Sequence, residues 1–559
     1  MQPTSTAGKM PSKFLIVTEK HEPAAHLRDG GARVVSSLLN MLGEDADIIQ
    51  FGDANVRAGL GRIAYPFEHP NRFRRRLLNA DWIASQVSAA AVGCTDVIFV
   101  HASMLFGITE DMLAGKRIWL MPMFLGTSYR LAGEDPPPEY FEAEKKCLRL
   151  AHRIITPSHF EKSQLVNYYG VDADDIKVIP RGVNQAPGTG TARKLNSQLT
   201  FCSVGSIKRQ KNTLSVVRRF ATIVDRHPGS RLRLVGPIQD AGYFEEVLAE
   251  SAKLNLGDAV SYIGYVPPEE IYEALSDCHI HLSDTRCETF GRTIFETLAI
   301  GIPNLLPGHP ACAAAEHLQD KPYCSFYDDE ATLLEGLSGL LDDYERRSKA
   351  ALEVGFIFDG NRLDRLLHAE LRKLPQLLIT DFDGTLFHKH DPELTSKTIK
   401  TAQAFPGLAI CSARSTGDLK KLLGGLSLKA DWLIGYSGAE IECLRKGLLH
   451  RESLTPEELQ LISAVSPEAR IITSGGQPIQ ALTQPMTAPA GLRAETYPEG
   501  TYLCPQMASK LIGALRLIDT IGWKGRVSAW GDGPSDLPSL MFFDGVRFPR
   551  NDVAPDLIP

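Results

Sequence analysis

The chain has 559 residues, 43% apolar and 23% charged, a soluble composition too long for one hydrophobic core. Its 60 basic and 67 acidic side chains leave a net charge of −7, which excludes general nucleic-acid binding but not local basic pockets for phosphates. No apolar run is long enough for a transmembrane segment, and "MQPTSTAGKMPSK" lacks a signal-peptide core, so a cytoplasmic location is expected. The 10 cysteines stand singly without a C-x-x-C pair, pointing to reduced thiols rather than a zinc site or disulfide framework.

In chain order, "FLIVTEK" precedes a helical "ARVVSSLLNML", "DVIFVHA" precedes "TEDMLAG", and "RIITPS" precedes "HFEKSQLVNYYG". Short β-branched strands alternating with amphipathic helices predict doubly wound α/β structure with parallel sheets. The pattern recurs in three blocks, expected at 1–190, 191–373 and 374–559. The Gly/Thr-rich "APGTGTA" separates the first two, and "QLLITDFDGT" opens the third.

Four features of the first two blocks suggest chemistry. Gly31, in "RDGGARVV", lies between strand and helix, where glycine lets backbone amides approach a ligand; a turn needing positive φ would select the same residue. His101 ends "DVIFVH" and reads equally as a cleft or a core histidine. Lys208, Arg209 and Lys211 in "VGSIKRQKN" suit a diphosphate or a solvated basic turn. In "CETFGRTIFETLAIGIPNLL", Glu288 falls on a loop and Glu296 about one turn into a helix. Their apolar setting favours a shared cleft, with both carboxylates accepting hydrogen bonds from sugar hydroxyls, over surface charge.

Together with "RIITPSHFEKSQLVNYYGVDADDIKVIPRGVN", these segments resemble the retaining glycosyltransferases of family 4 over roughly residues 14–370. The resemblance implies a GT-B fold, two Rossmann-like domains with the active site between them. It also implies a nucleotide-sugar donor, a sugar or sugar-phosphate acceptor, and no metal requirement. Glu296 would hold the donor ribose, Glu288 the donor hexose and Lys211 the diphosphate, with Gly31 near the phosphates or acceptor. Two departures stand out: Ser206 occupies the position where the family usually has Arg, and Pro122 and Met123 stand where many members have a histidine.

In the third block, "LLITDFDGTLF" is an apolar strand running into Asp381 and Asp383, which period-two alternation would place on one side. Paired carboxylates repel unless a cation lies between them, and oxygen donors suit Mg²⁺. Ser412 follows the strand "LAIC", Lys510 starts the helix "KLIGALRLI", and "GDGPSDLP" supplies Asp532 and Asp536. These segments resemble the haloacid dehalogenase (HAD) superfamily, particularly its sugar-phosphate phosphatases. The implied roles are Asp381 as nucleophile, Asp383 as acid/base, and Ser412 and Lys510 as holders of phosphoryl oxygens. Mg²⁺ would be ligated by Asp381, Asp532 and the Asp383 carbonyl, with Asp536 in support. A small α/β cap is expected at about 436–503.

The sequence thus predicts a GT-B transferase followed by a HAD-like Rossmannoid phosphatase. The rival reading is a transferase of surface-polysaccharide or glycolipid assembly whose last domain is regulatory or acts on another molecule.

Overall fold

The computed structural model describes residues 13–19, 30–52, 62–183, 192–267, 270–489 and 491–549. Its first sheet contains β1 (Phe14–Thr18), β2 (Ala46–Gly52), β3 (Arg62–Ala64), β4 (Asp96–Val100), β5 (Arg117–Met121), β6 (Arg153–Thr156) and β7 (Ile176–Val178). These run in the order β3-β2-β1-β4-β5-β6-β7, with every pair parallel. The central strands β1 and β4 are buried at every residue, which is why they read as continuous apolar runs. Strand order reverses between them, Thr18 pairing with Val100 at their carboxyl ends. Such a switch point opens a crevice for ligands.

The second sheet repeats the design. It comprises β8 (Thr200–Val204), β9 (Arg231–Val235), β10 (Val260–Gly264), β11 (Ile280–Leu282), β12 (Asn304–Pro307) and β13 (Cys324–Tyr327). Their order is β10-β9-β8-β11-β12-β13, again wholly parallel. After it the chain crosses back, and the helix Gly360–Leu371 packs Leu363 and Leu367 into a core shared with Val34, Val35 and Leu38. The crossing is tight: a Cβ on Gly182 would lie 2.3 Å from the Gly360 Cα. The Val183 N–H donates to the Phe358 carbonyl at 2.9 Å, fastening the two halves behind their cleft.

The third sheet holds β14 (Gln376–Asp381), β15 (Gly407–Cys411), β16 (Trp432–Gly435), β17 (Glu440–Cys443) and β18 (Gly447–Arg451). A smaller sheet follows, with β19 (Arg470–Ser474), β20 (Gln477–Thr483), β21 (Leu492–Tyr497) and β22 (Gly500–Pro505), before β23 (Arg526–Gly531) and β24 (Val546–Arg547) return to the third sheet. The large sheet runs β18-β17-β16-β15-β14-β23-β24 and the small one β19-β20-β22-β21, the latter antiparallel throughout. The helix Pro456–Val465 closes the small sheet by packing Ile462 against Ala481, Leu492 and Leu503. The expected start of the cap near 436 needs correction. Strands β17 and β18 extend the main sheet by antiparallel pairing, and the separate sheet begins only at Arg470.

This last unit is docked on both preceding domains. Lys162 pairs with Asp544 at 2.9 Å, His159 Nε2 meets the Met541 carbonyl at 2.9 Å, and Arg362 pairs with Asp519 at 2.5 Å. The small sheet is anchored through Arg493 to Glu353. All 10 cysteines are free. No helix among the described residues is long and apolar enough to cross a membrane.

Candidate active sites

A cleft of about 1620 Å³ opens between the first two domains, lined by residues of both. Glu288 is pinned by its backbone, its N–H donating to the Ala311 carbonyl at 2.8 Å and its carbonyl accepting from the Ala313 N–H at 3.0 Å. Its carboxylate pairs with Lys211. Glu296 lies one turn into the helix Arg292–Ala299 and is buried, yet borders the cleft and pairs with Arg33 from the opposite domain. Gly291 precedes that helix at φ +85°, a left-handed conformation that favours glycine. Gly205, Ser206 and Lys208 line the same wall. There β8 and β9 converge so closely that a Cβ on Gly236 would lie 2.1 Å from the Gly205 carbonyl oxygen.

Arg209 is not among the cleft-lining residues. Its guanidinium reaches Glu246 at 3.1 Å and lies 5.1 Å from the Tyr243 ring, with 57% of the side chain exposed. Gly31 does border the cleft, in the first turn of the helix Gly30–Leu42; Arg28 to Gly30 of the quoted motif precede it, and residues 20–29 lie outside those described. His101 lines the cleft as well, buried at the end of β4 with φ +98°. Its Nδ1 accepts the Ser103 N–H at 3.2 Å, which puts the proton of the neutral ring on Nε2, 3.1 Å from the Tyr129 hydroxyl. Sequence reasoning passed over Arg33, Arg181 and Arg292, which also face this cleft. All three stood inside quoted segments, in "GGAR", "IPRG" and "FGRT".

The second centre lies at the carboxyl end of β14. Asp381 closes that strand and is buried, and Lys510, first residue of the helix Lys510–Thr520, reaches it at 2.8 Å and Asp536 at 2.7 Å. Asp381, Asp532 and Asp536 each present a carboxylate oxygen within 4.8 Å of the others. Glycine makes room for this crowding: a Cβ on Gly384, at φ +76°, would lie 2.4 Å from Asp532 Oδ2. Burial, opposed by Lys510 and reinforced by Asp536 and Asp532, pushes the Asp381 carboxyl up to about 7. Three clustered carboxylates, two of them sharing one ammonium, are a donor set that a divalent cation such as Mg²⁺ suits. The residues present therefore fit that ion.

Asp383 lies two residues on, past the end of the strand. Strand β14 stops at Asp381, and the carboxylate of Asp383 is gripped by Arg414. The intervening Phe382 is buried and stacks on Phe387 with centroids 5.7 Å apart. Ser412, just past β15, is buried, and its Oγ accepts the Arg414 N–H at 3.2 Å. From the small sheet, Glu495 hydrogen-bonds Ser437 of the main unit, and Tyr497 donates to Glu495 at 2.9 Å. Arg414 and Glu495 were not singled out from sequence. Arg414 stood two residues beyond Ser412 in "CSARS", whereas Glu495 carried no local signal.

Two doubly wound domains facing across a cleft, joined to a sheet with a carboxylate cluster at its central strand end, define a GT-B fold coupled to a HAD-like unit. Family comparison agrees: residues 29–186 match Glycosyltransferase Family 4, residues 192–351 match Glycosyl transferases group 1, and residues 378–474 match haloacid dehalogenase-like hydrolase. The chain carries glycosyltransferase family 4 and group 1 domains followed by a HAD-like hydrolase domain.

A D-inositol 3-phosphate glycosyltransferase from Acidothermus cellulolyticus is 32% identical over 186 residues, 31% of this chain and 42% of that protein. The chain spans about half the length of the first curated relatives it matches. Sucrose-phosphate synthase from Thermosynechococcus elongatus superposes with a TM-score of 0.53 at 17% identity, covering 65% of this chain and 98% of that one. An α,α-trehalose-phosphate synthase (UDP-forming) from Burkholderia vietnamiensis gives 0.51 at 14% identity, with 65% and 99% coverage. These likenesses establish the GT-B fold.

Proposed function

We propose that the chain is a bifunctional enzyme that transfers a sugar from a nucleotide-sugar donor to an acceptor, with retention, and hydrolyses a phosphate monoester in its C-terminal domain. The observation that carries this reading is the presence of two separate constellations on one chain. Glu288, Glu296 and Lys211 share the interdomain cleft, and Lys510 braces Asp381 and Asp536 beside Asp532.

In the cleft, Glu296 accepts hydrogen bonds from the donor ribose and Glu288 from the hexose. The bond from the anomeric carbon to the diphosphate breaks as the acceptor oxygen bonds to that carbon, and the acceptor hydroxyl's proton passes to the departing diphosphate. Lys211 and the N-terminus of the helix Arg292–Ala299 offset the charge on the departing diphosphate. In the hydrolase domain, an Asp381 oxygen attacks phosphorus and the ester P–O bond breaks, leaving an aspartyl phosphate. Asp383 protonates the leaving alcohol and then removes a proton from the attacking water. Ser412 and Lys510 hold the phosphoryl oxygens. Asp381, Asp532 and the Asp383 carbonyl, with Asp536 in support, would hold Mg²⁺, which would supply positive charge against the phosphoryl oxygens.

Thermal shift with UDP-, GDP- and ADP-sugars tests the first half, because a bound donor raises the melting temperature. Phosphate release from a sugar-phosphate panel with Mg²⁺ tests the second, and Asp381→Asn should abolish it. No shift with any donor sinks the transferase reading. Phosphate release that survives Asp381→Asn sinks the proposed nucleophile.

A further inference from the structure

Strand β21 of the small sheet reaches from the second domain to the phosphatase centre. Its residues Arg493, Glu495 and Tyr497 fall on one face by period-two alternation. Arg493 pairs with the buried Glu353 at the start of the helix Glu353–Ile357, and its Nε donates to the Gln506 carbonyl at 2.7 Å. The Gln506 amide donates to Glu353 at 2.7 Å, so two residues of the small sheet's border converge on one carboxylate of the second domain. Tyr323 and Lys321 meet that carboxylate from within the second domain.

Farther along the same face, Glu495 stands beside the phosphatase centre. Its Oε2 accepts the Ser437 hydroxyl and, at 2.9 Å, the Tyr497 hydroxyl, while its Oε1 has no hydrogen bond to a described residue. Ser437 itself lies between two residues of the centre. Its N–H donates to the Ser412 carbonyl at 3.0 Å. The next residue, Gly438, packs so tightly on the start of the Lys510 helix that a Cβ would lie 2.0 Å from the Ser509 carbonyl oxygen. Burial and Glu495 raise the Tyr497 hydroxyl while Lys510 opposes them, which puts the phenol in the field of the ammonium that braces Asp381.

The chain joins the small sheet and its helix to the main sheet through residues 452–455 and 506–509, and the second crossing begins with Gln506 itself. The main sheet has its own anchors on the preceding domains, Lys162 to Asp544 and Arg362 to Asp519. With both parts gripped, the contacts at Glu353 help to set the height of β21 above the centre. We infer that Glu353, a residue of the second domain, is a positioning residue for the phosphatase: through Arg493 and Gln506 it holds β21 so that Glu495 meets hydroxyls of the leaving group. A carboxylate oxygen beside a phenol accepts bonds from a hydroxyl-rich, uncharged leaving group and repels one that carries a carboxylate. The inference rests on the phosphatase reading and adds that a domain of the transferase shapes the substrate fit of the other enzyme.

The test is steady-state hydrolysis by the full chain with Mg²⁺ of a panel of hexose and disaccharide phosphates, beside p-nitrophenyl phosphate, whose leaving group offers Glu495 no further hydroxyl. Glu353→Gln should raise KM for the best sugar phosphate about tenfold, the scale of one charge-assisted hydrogen bond, with kcat almost unchanged. Both constants for p-nitrophenyl phosphate should stay as in wild type. Glu353→Asp should recover part of the loss. Gln506→Met, which removes an uncharged partner and leaves the ion pair, should raise the same KM about threefold, and it carries the test if Glu353→Gln fails to fold. In a Glu495→Gln background, Glu353→Gln should add no further rise. Unchanged sugar-phosphate KM in Glu353→Gln and Gln506→Met overturns the inference, as does an equal loss with p-nitrophenyl phosphate, which marks a purely structural role. Failure of wild type to hydrolyse any of these esters defeats the phosphatase reading itself.

Discussion

The Arg414 guanidinium holds the Asp383 carboxylate by two parallel hydrogen bonds, Nε to Oδ2 at 2.7 Å and Nη2 to Oδ1 at 2.8 Å. Both side chains are nearly half exposed, so the pair adds little to stability, about 0–1 kcal/mol. Its effect is directional, since the fork fixes where the proposed acid/base points. Arg414→Ala should leave the melting temperature almost unchanged while lowering phosphatase kcat by roughly 10- to 100-fold, within the range of a positioned acid/base. A variant that loses stability but keeps kcat would contradict this role.

Lys510 is the only cation bonded to the buried Asp381 and Asp536 among the described residues. Lys510→Met leaves both carboxylates without it, and breaking a buried pair costs about 3–5 kcal/mol. The variant should therefore be inactive and markedly less stable in EDTA, with part of the stability returning on addition of Mg²⁺. Denaturant curves with and without the metal measure this. A Mg²⁺ effect equal to that on wild type would argue against a cation among these carboxylates.

Glu353 joins the transferase core to the small sheet. It is buried, accepts the Tyr323 hydroxyl at 2.7 Å and the Gln506 amide at 2.7 Å, and pairs with Arg493 and Lys321. Burial raises its carboxyl, but Arg493, Lys321 and these hydrogen bonds outweigh burial and hold it at about 2, below the ordinary 4.5. Its contribution, on the order of 3 kcal/mol, is complete above pH 4.5 and lost as pH falls toward 2. Stability of wild type over Glu353→Gln should thus be greatest near neutrality and shrink across that acid window. Chemical denaturation at several pH values reads it, and a pH-independent difference would refute it.

The two cleft glutamates should separate by ligand. Glu296→Ala is expected to weaken nucleoside diphosphates and nucleotide-sugars alike, by about tenfold, the scale of one charge-assisted hydrogen bond. Glu288→Ala should weaken only the nucleotide-sugar. Titration of both ligands against both variants checks the assignment, and equal losses in Glu288→Ala would reverse it.

Much of the plan was legible because it is written locally. Parallel sheets buried on both faces demand apolar runs such as "FLIV" and "VIFV", and tight strand–helix turns demand glycine, so the α/β class and the GT-B and HAD-like folds follow from contiguous motifs. Local reasoning loses its basis past the end of an element. Period two governs side chains only while the strand lasts, and β14 ends at Asp381. Basic character likewise says nothing about direction, so "KRQK" placed Arg209 beside Lys211 although it turns toward Glu246.

The sequence by itself determined which chemical groups exist and which stretches of backbone present them: the glutamates around "FGRTIFE", the aspartates of "DFDGT" and "GDGPSD", and Lys510 at a helix start. Tertiary structure alone decided their partners. Arg33 meets Glu296, Arg493 meets Glu353 and Lys510 meets Asp381 across sequence separations of 263, 140 and 129 residues. No periodicity encodes such pairings. They arise when elements distant in sequence pack, and burial then makes the energy of each charge depend on what the fold has set beside it.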